Sequence, residues 1–149
     1  MSGELILSVE DDVQQMEAMR ILLESHGYRV LLAKDGVEAV ELYRGLKSEI
    51  ALVILDTRMP KLNGWEAFQE MKKENPDVKA LFATAYAIPQ VRSAMARGEL
   101  HGLFIKPYPI DRFLARVSEL TRPVVKVMSV TLLLNNSWSE FVSNAQSLC

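Results

Sequence analysis

Ile50-Ala-Leu-Val-Ile-Leu55, followed by Asp56-Thr-Arg-Met-Pro-Lys-Leu-Asn-Gly64, is the stretch that decides the fold. Its first part is a continuous apolar run, which predicts a strand buried on both faces. Its second part opens on a carboxylate and contains Pro, Asn and Gly, which are typical of a loop. The stretch therefore places the Asp56 carboxylate at the end of a buried strand, at a sheet edge that faces solvent.

The same pattern recurs along most of the chain. Apolar runs predict strands at residues 5–9, 28–33, 51–55, 78–83 and 103–105, and segments of helical period lie between them. Repeated strand–helix alternation predicts a parallel sheet with right-handed crossovers. We therefore predict an α/β protein with a doubly wound five-stranded parallel sheet, for which 2-1-3-4-5 is a common strand order.

Apolar stripes predict which helical residues face the core. They comprise Val13, Met16, Met19 and Leu23; Val37, Val40 and Tyr43; Trp65, Phe68 and Met71; and Ile110, Phe113, Leu114 and Val117. The helix predicted near residues 89–98 has a weaker stripe of Val91, Ala94 and Met95. We expect it to be the least rigid helix, because few apolar contacts hold it.

Composition narrows the class of protein. A chain of 149 residues suits one domain with a sizeable core, and a hydrophobic content of 49% is ordinary for a soluble protein. The net charge of −2 gives no long-range attraction to nucleic acid or an anionic membrane. Cys149 is the single cysteine, so no internal disulfide forms. With no secretory signal pattern and no membrane-length apolar run, we expect a cytoplasmic, non-membrane protein.

Residues 122–149 differ from the rest of the chain. From position 123 onward Lys126 and Glu140 are the only charged side chains, and residues 123–134 are rich in β-branched types. The pattern predicts a strand or arm, then a turn at residues 135–137 and a short helix. We divide the chain into a domain at 1–121 and an atypical tail at 122–149. The tail is an edge strand, an arm exchanged in a homodimer, or an artificial addition.

Four chemical groups fall at carboxyl ends of predicted strands. In the order 2-1-3-4-5, strands one and three are neighbours, so Asp11 and Asp56 are adjacent; Thr84 and Lys106 end strands four and five. Close carboxylates repel one another unless a cation lies between them, and Mg²⁺ accepts carboxylate oxygens. With a lysine and a hydroxyl, such a site suits phosphoryl transfer to a carboxylate nucleophile.

These residues resemble a known family, the receiver domain of two-component response regulators. The matching motifs are Glu10-Asp11-Asp12, the stretch from Asp56 to Gly64, Thr84-Ala85 and Lys106-Pro107. They occur in the family's order over residues 4–121. Each motif alone is weak, whereas the four together are specific. The resemblance implies a flavodoxin-like receiver at residues 1–121.

The resemblance also implies a metal site. It assigns Asp56 as phosphoacceptor and Mg²⁺ ligand, Asp11 as a direct ligand and Glu10 as a ligand acting mainly through water. The backbone carbonyl of Arg58 supplies a further ligand, and Mn²⁺ can replace Mg²⁺. Asp12 is interpreted as a helix cap outside this set.

Two further residues receive roles as partners of the phosphoryl group. Thr84 is expected to hydrogen-bond one phosphoryl oxygen and Lys106 to pair with another. The Lys106-Pro107 bond is often cis in this family, which fits the small free-energy gap between the isomers of X-Pro bonds.

The chain departs from the family pattern at the switch positions. Receivers usually carry Tyr or Phe three positions before the lysine, where this chain has Leu103, with Phe104 next to it. Neighbours in a strand face opposite sides, so Phe104 replaces the aromatic residue only if the register shifts. Arg58 and Tyr86 occupy two positions that tune phosphate lifetime. Both are large enough to obstruct water, which predicts slow self-dephosphorylation.

The resemblance predicts a phosphoacceptor in a phosphorelay, not an enzyme acting on other substrates. Its partners would be a sensor histidine kinase or phosphotransfer protein and a downstream protein that reads the helix-four, strand-five, helix-five face. Direct nucleic-acid or membrane binding is not expected. The alternatives are a receiver module of a hybrid sensor histidine kinase and an aspartyl-nucleophile phosphatase. The phosphatase needs a second acid where this chain has Arg58. A flavin binder and a degenerate scaffold fit less well.

Overall fold

The computed structural model describes residues 3–122, so the predictions made for residues 123–149 lie outside it. Strands and helices alternate throughout this part of the chain. The elements are β1 (Leu5–Val9), α1 (Val13–Ser25), β2 (Arg29–Ala33), α2 (Gly36–Leu46), β3 (Ile50–Leu55), α3 (Gly64–Glu74), β4 (Ala80–Thr84), α4 (Pro89–Ala96), β5 (Gly102–Ile105) and α5 (Ile110–Thr121).

The strands form one parallel sheet in the order β2-β1-β3-β4-β5. This confirms the predicted α/β doubly wound, flavodoxin-like fold. The chief boundary error concerns β4, which begins at Ala80 and not at residue 78. Val78 is instead a turn residue, because its N–H donates to the carbonyl of Asn75 at 3.1 Å.

Side chains that alternate along the strands bury two faces of the sheet. On one face, strand residues such as Leu7, Val53 and Phe82 pack with buried residues of α2, α3 and α4. On the other face, Ile6, Ile54 and Leu81 pack with α1 and α5, where the buried helical residues are Leu23, Phe113, Val117 and Leu120. The continuous apolar runs of the strands arise because both faces are covered.

Four stripe residues predicted to face the core are exposed: Val13, Val37 and Ile110 in first turns, and Met95 near the end of α4. Val13 is 74% exposed, Ile110 is 48% exposed and Val37 is 40% exposed. Val13 and Ile110 are the first residues of α1 and α5, and Val37 is the second residue of α2. The apolar period correctly marked the stripe. It failed at three first-turn positions, whose side chains belong to neither core cluster.

Helix α4 is the shortest helix among the described residues, with eight residues. Val91 and Ala94 are buried, whereas Met95 is 39% exposed. Its N-terminus has Pro89 but no side-chain cap. These features agree with the weak stripe, and the low rigidity of α4 stays a prediction.

Candidate functional site

Three carboxylates meet where β1 and β3 end side by side. Glu10 and Asp11 follow β1, and Asp56 follows β3. The ladder continues past both strands, since Asp56 N–H donates to Val9 at 3.1 Å and Glu10 N–H donates to Ala33 at 3.0 Å. One carboxylate oxygen from each of the three residues lies within 4.8 Å of the others. This donor set fits a divalent cation that prefers oxygen ligands, such as Mg²⁺.

Lys106 joins the cluster from β5. Its backbone N–H donates to the carbonyl of Thr84 at 2.9 Å, and its bond to Pro107 is cis, as the resemblance predicted. The ammonium donates to Glu10 Oε1 at 2.9 Å and to Asp56 Oδ2 at 3.3 Å. The geometry therefore places one cation directly between two carboxylates.

Burial and charge act in opposite directions on this cluster. Burial raises the pKa of Glu10 above its ordinary value, although the hydrogen bond from Lys106 works the other way. Burial works to lower the pKa of Lys106, but the hydrogen bond to Glu10 and the charge of Asp56 outweigh it, so that pKa lies above its ordinary value. Lys106 thus stays charged, while the burial of the Glu10 carboxylate is not fully offset.

Asp12 lies next to the cluster and caps α1. Its side chain accepts a hydrogen bond from the N–H of Gln15 at 3.0 Å. Its own N–H donates to Glu10 Oε2 at 3.1 Å. Asp12 therefore supports the turn that carries Glu10 and Asp11, as the cap interpretation predicted.

Thr84 is buried at the end of β4. Its hydroxyl donates to the carbonyl of Tyr86 at 3.0 Å and lies 3.2 Å from the Tyr86 N–H, which donates to it. The Thr84 hydroxyl is therefore held by its own loop in this structure. To donate to a group on Asp56, the hydroxyl would have to give up its bond to the Tyr86 carbonyl, because it has a single O–H.

Arg58 and Tyr86 meet across the rim of the site. The guanidinium carbon of Arg58 lies 5.0 Å from the centroid of the Tyr86 ring, within cation–π range. The contact connects the loop after β3 with the loop after β4. Sequence reasoning named both residues but did not predict that they touch each other.

The register shift that Phe104 would need in order to replace the usual aromatic residue is absent. Leu103 pairs with Phe82 and Phe104 with Ala83, in regular succession. Leu103 packs on the cluster that contains α4, whereas Phe104 packs on the opposite face, 5.3 Å from the Phe113 ring centroid. The position of the usual aromatic residue is therefore occupied by leucine.

Sequence reasoning missed Gln15. Its side-chain carbonyl accepts a hydrogen bond from the Lys106 ammonium. Gln15 is the third residue of α1. Side chains of a helix tilt toward its N-terminus, so a polar residue in the first turn after an acidic pair points back toward that pair. That local rule is the signal in the sequence that could have found it.

Fold and site together define a class: flavodoxin-like α/β proteins that cluster carboxylates and a lysine where strand order reverses. The model of one family of this class, the response regulator receiver domain, matches residues 6–118. The chain belongs to this family. It is a receiver of two-component signalling and a signalling phosphoacceptor, not a phosphatase-type enzyme.

The relatives that the chain matches are longer proteins. The chain is 38% identical to the transcriptional regulatory protein ZraR of Klebsiella oxytoca, over 80% of the chain and 27% of the relative. It is 30% identical to the sensor kinase CckA of Brucella abortus, over 80% of the chain and 12% of the relative. It is 34% identical to the response regulator MprA of a Mycobacterium species, over 78% of the chain and 50% of the relative. The chain thus spans half or less of these relatives.

Solved structures agree on the fold. The non-phosphorylated HemR receiver domain of Leptospira biflexa is 34% identical, with a TM-score of 0.71 over 80% of this chain and 94% of that one. The response regulator TrrA of Thermotoga maritima, solved in complex with Mg²⁺ and BeF, is 30% identical. Its TM-score is 0.66 over 78% of this chain and 98% of that one. Among residues 3–122, none of the helices has the length and apolar character to cross a membrane.

Proposed function

We propose that Asp56 accepts a phosphoryl group from the phosphohistidine of a sensor histidine kinase or phosphotransfer protein. The observation that carries this proposal is the approach of the Lys106 ammonium to Asp56 Oδ2, at 3.3 Å, inside a cluster of three carboxylates. A carboxylate paired with a lysine and flanked by acids has both a nucleophilic oxygen and a place for a dication.

The residues that would hold Mg²⁺ are Asp11 and Asp56 directly, Glu10 through water, and Arg58 through its backbone carbonyl. Bound Mg²⁺, or Mn²⁺ in its place, supplies positive charge that neutralises carboxylates and phosphoryl oxygens. Its presence in the complex of the related TrrA supports this assignment. The cluster of Glu10, Asp11 and Asp56 has the oxygen chemistry that Mg²⁺ needs.

In the proposed step, an oxygen of Asp56 forms a bond to phosphorus as the phosphorus–nitrogen bond of the donor breaks. The electron pair of the broken bond stays on the imidazole nitrogen, which takes up a proton. Lys106 stabilises the charge on one phosphoryl oxygen and the Thr84 hydroxyl binds another. Lys106 needs little movement for this role, since it already contacts Asp56.

Phosphorylation would then bias two pre-existing states. To donate to the phosphoryl group, the Thr84 hydroxyl gives up its hydrogen bond to the Tyr86 carbonyl, which frees the loop after β4 to rearrange. That loop leads into α4. The N-terminus of α4 has no side-chain cap and few of its residues are buried, which favours movement of this helix. The face formed by α4, β5 and α5 would present the altered surface to a downstream protein, with Leu103 in place of the usual aromatic residue.

Residues 1–121 would therefore act as the receiver, in the cytoplasm where two-component phosphorelays operate. Both a response regulator and a sensor kinase occur among the relatives. A receiver module of a hybrid sensor histidine kinase is accordingly the second candidate. Phosphotransfer profiling against a panel of kinases distinguishes the two settings, because a hybrid receiver takes its phosphoryl group preferentially from its own kinase.

Beryllofluoride binding tests the proposed acceptor. Calorimetry with Mg²⁺ should show binding to the native chain and none to Asp56→Asn. The matched control is Asp12→Asn, which removes one carboxylate beside the cluster, while asparagine still caps α1. Binding that persists in Asp56→Asn, or that needs no dication, contradicts the assignment.

A further inference from the structure

The Lys106 ammonium is held by three oxygen acceptors. Glu10 and Asp56 supply carboxylates at 2.9 and 3.3 Å, and Gln15 supplies its side-chain carbonyl from α1. An ammonium has three N–H donors and no acceptor, so these three partners can satisfy it completely. Gln15 is the uncharged member of the set.

Gln15 is itself fixed by the loop that carries the acids. Its N–H donates to the Asp12 side chain at 3.0 Å, and the next residue, Met16, donates to the Asp12 carbonyl at 2.8 Å. Asp12 in turn donates from its N–H to Glu10 at 3.1 Å. The backbone that carries the Gln15 side chain is therefore positioned relative to the candidate cation ligands by short, local bonds.

Below Gln15, the side chains of α1 offer Lys106 no further acceptor. A cavity of about 380 Å³ opens there between α1 and α5. Its α1 wall below Gln15 consists of Ala18, Met19 and Leu22, and none of these side chains carries a hydrogen-bonding N or O atom. Among the described residues, Gln15 alone contacts the Lys106 ammonium from this side. If Gln15 released it, the long side chain of Lys106 would gain freedom toward the cavity mouth.

We infer that Gln15 is a positioning residue that holds the Lys106 ammonium ready for the phosphoryl group. This inference rests on the proposed function. A bound dication would compete with Lys106 for the Glu10 carboxylate. The contact between Lys106 and Glu10 would then be weaker. Gln15 is neutral, so it keeps its hydrogen bond and leaves the full positive charge of Lys106 available to a phosphoryl oxygen.

A carboxylate in place of Gln15 would act differently. It would hold the ammonium at least as firmly, but it would also neutralise part of its charge and repel the incoming anion. In a series of variants, the ordering of the Lys106 ammonium and the affinity for the anion should therefore change independently of each other. This separation distinguishes positioning from a general contribution of α1 to the fold.

The experiment uses Gln15→Met and Gln15→Glu, with Gln14→Met as the matched control on the same turn of α1. Methionine keeps the length of glutamine without a strong acceptor. Lysine Nζ–H signals are recorded by NMR in the ion-free protein. The dissociation constants of Mg²⁺ alone, and of beryllofluoride at saturating Mg²⁺, are measured by calorimetry, and thermal unfolding confirms folding.

We expect Gln15→Met to lose the slowly exchanging Lys106 Nζ–H signal and to bind beryllofluoride about fivefold more weakly, as the loss of one hydrogen bond predicts. Its affinity for Mg²⁺ should not change. Gln15→Glu should regain the Nζ–H signal without regaining the affinity for beryllofluoride. Gln14→Met should match the native chain in all three measurements.

The inference is overturned if Gln15→Met keeps the Nζ–H signal and the native affinity for beryllofluoride. It is also overturned if the affinity for Mg²⁺ falls in the same proportion, because Gln15 would then act on the metal site. If Gln15→Met unfolds, Gln15→Glu decides: native affinity for beryllofluoride in that variant overturns the inference. A native chain that shows the Nζ–H signal but never binds beryllofluoride contradicts the proposed function instead.

Discussion

At the scale of single residues, the site is an unequal balance of charge. Glu10 is only 7% exposed, and burial raises its pKa, whereas Lys106 is the one basic side chain that bonds to it among the described residues. Three carboxylates and one ammonium leave a net negative charge in a partly buried site. A bound dication would relieve this repulsion, which is a physical reason for acids, and not a phosphate loop, to surround the proposed acceptor Asp56.

Arg58 and Tyr86 carry the first prediction at this scale. Their contact of 5.0 Å places two large side chains at the rim where water would attack an acyl phosphate on Asp56. We expect the double variant Arg58→Ala, Tyr86→Ala to lose its phosphoryl group about tenfold faster, equivalent to a barrier lower by about 1.4 kcal/mol. Decay of the radiolabelled phosphoprotein after removal of the donor measures this rate.

Single variants and one distant control refine this test. Because either truncation removes the contact, each single variant should reproduce part of the acceleration, and the two effects should not add. Arg92→Ala, an exposed arginine on α4, should decay at the native rate. Double-variant decay no faster than the native rate would reject slow self-dephosphorylation by obstruction.

At the scale of elements, the close approach of α3 to the end of β3 shapes the loop that begins at Asp56. Gly64 begins α3, and its N–H donates to the Thr57 carbonyl at 2.9 Å. The Thr57 N–H donates to Asp56 Oδ1 at 2.6 Å. A Cβ atom at Gly64 would overlap the carbonyl oxygen of Asp56, which is backbone and cannot rotate away. Glycine is thus required because two backbone segments touch.

We therefore expect Gly64→Ala to destabilise the protein by about 2 kcal/mol or more, since the overlap forces backbone strain. The beryllofluoride affinity should fall as well, because the displaced oxygen belongs to Asp56. Urea unfolding and calorimetry measure the two effects.

Gly45→Ala is the matched control. Gly45 lies in α2, and a Cβ atom there would meet nothing within 4 Å. Alanine in a helix is favoured over glycine by about 1 kcal/mol, so this variant should be more stable than the native chain. Equal stability of both glycine variants would show that the approach of α3 to Asp56 is not tight.

Element identity was predictable because it depends on local patterns. The apolar runs and stripes predicted every strand and helix between residues 5 and 121, and the strand order predicted that Asp11 and Asp56 lie side by side. The exposed Val13, Val37 and Ile110 were not predictable from helical period, because that period does not reveal which turns of a helix pack into a core cluster.

At the scale of the whole molecule, His101 connects the edge of the sheet with the last helix. Its N–H donates to the carbonyl of Ala80 at 2.9 Å, and its Nδ1 faces the Ala80 N–H at 3.2 Å. Its carbonyl accepts from Arg116 Nε of α5 at 2.6 Å. Burial, together with the charges of Arg116 and Lys79, lowers the pKa of His101. The fold therefore prefers the neutral imidazole.

Stability should fall in acid as a result. Below the ordinary histidine pKa of 6.5, the unfolded chain binds a proton that the folded chain resists, so unfolding becomes more favourable as pH falls. Protonation of Nδ1 also turns the acceptor of the Ala80 N–H into a donor. The free energy of unfolding should decline below about pH 7, by less than the roughly 1.4 kcal/mol per pH unit that one proton can contribute.

His101→Asn separates this effect from carboxylate titration. Asparagine can place an uncharged acceptor where Nδ1 lies, but it does not titrate. The difference in unfolding free energy between the native chain and this variant should shrink toward acid, because only the native chain is penalised there. Parallel pH profiles from urea titrations between pH 5 and about pH 8 would rule out His101 as the cause.

The sequence by itself determined the alternation of elements, the burial of the sheet on both faces and the four motifs of the site. Hydrophobic period, caps and turn residues act over a few neighbouring positions, so they can be read without the fold. Only the tertiary structure decided which side chains hold Lys106, that Arg58 lies on Tyr86, and that Phe104 packs away from α4. The partners of Lys106 lie 50, 91 and 96 positions away, and such contacts depend on how separate helices pack on the sheet, a property that no local pattern contains.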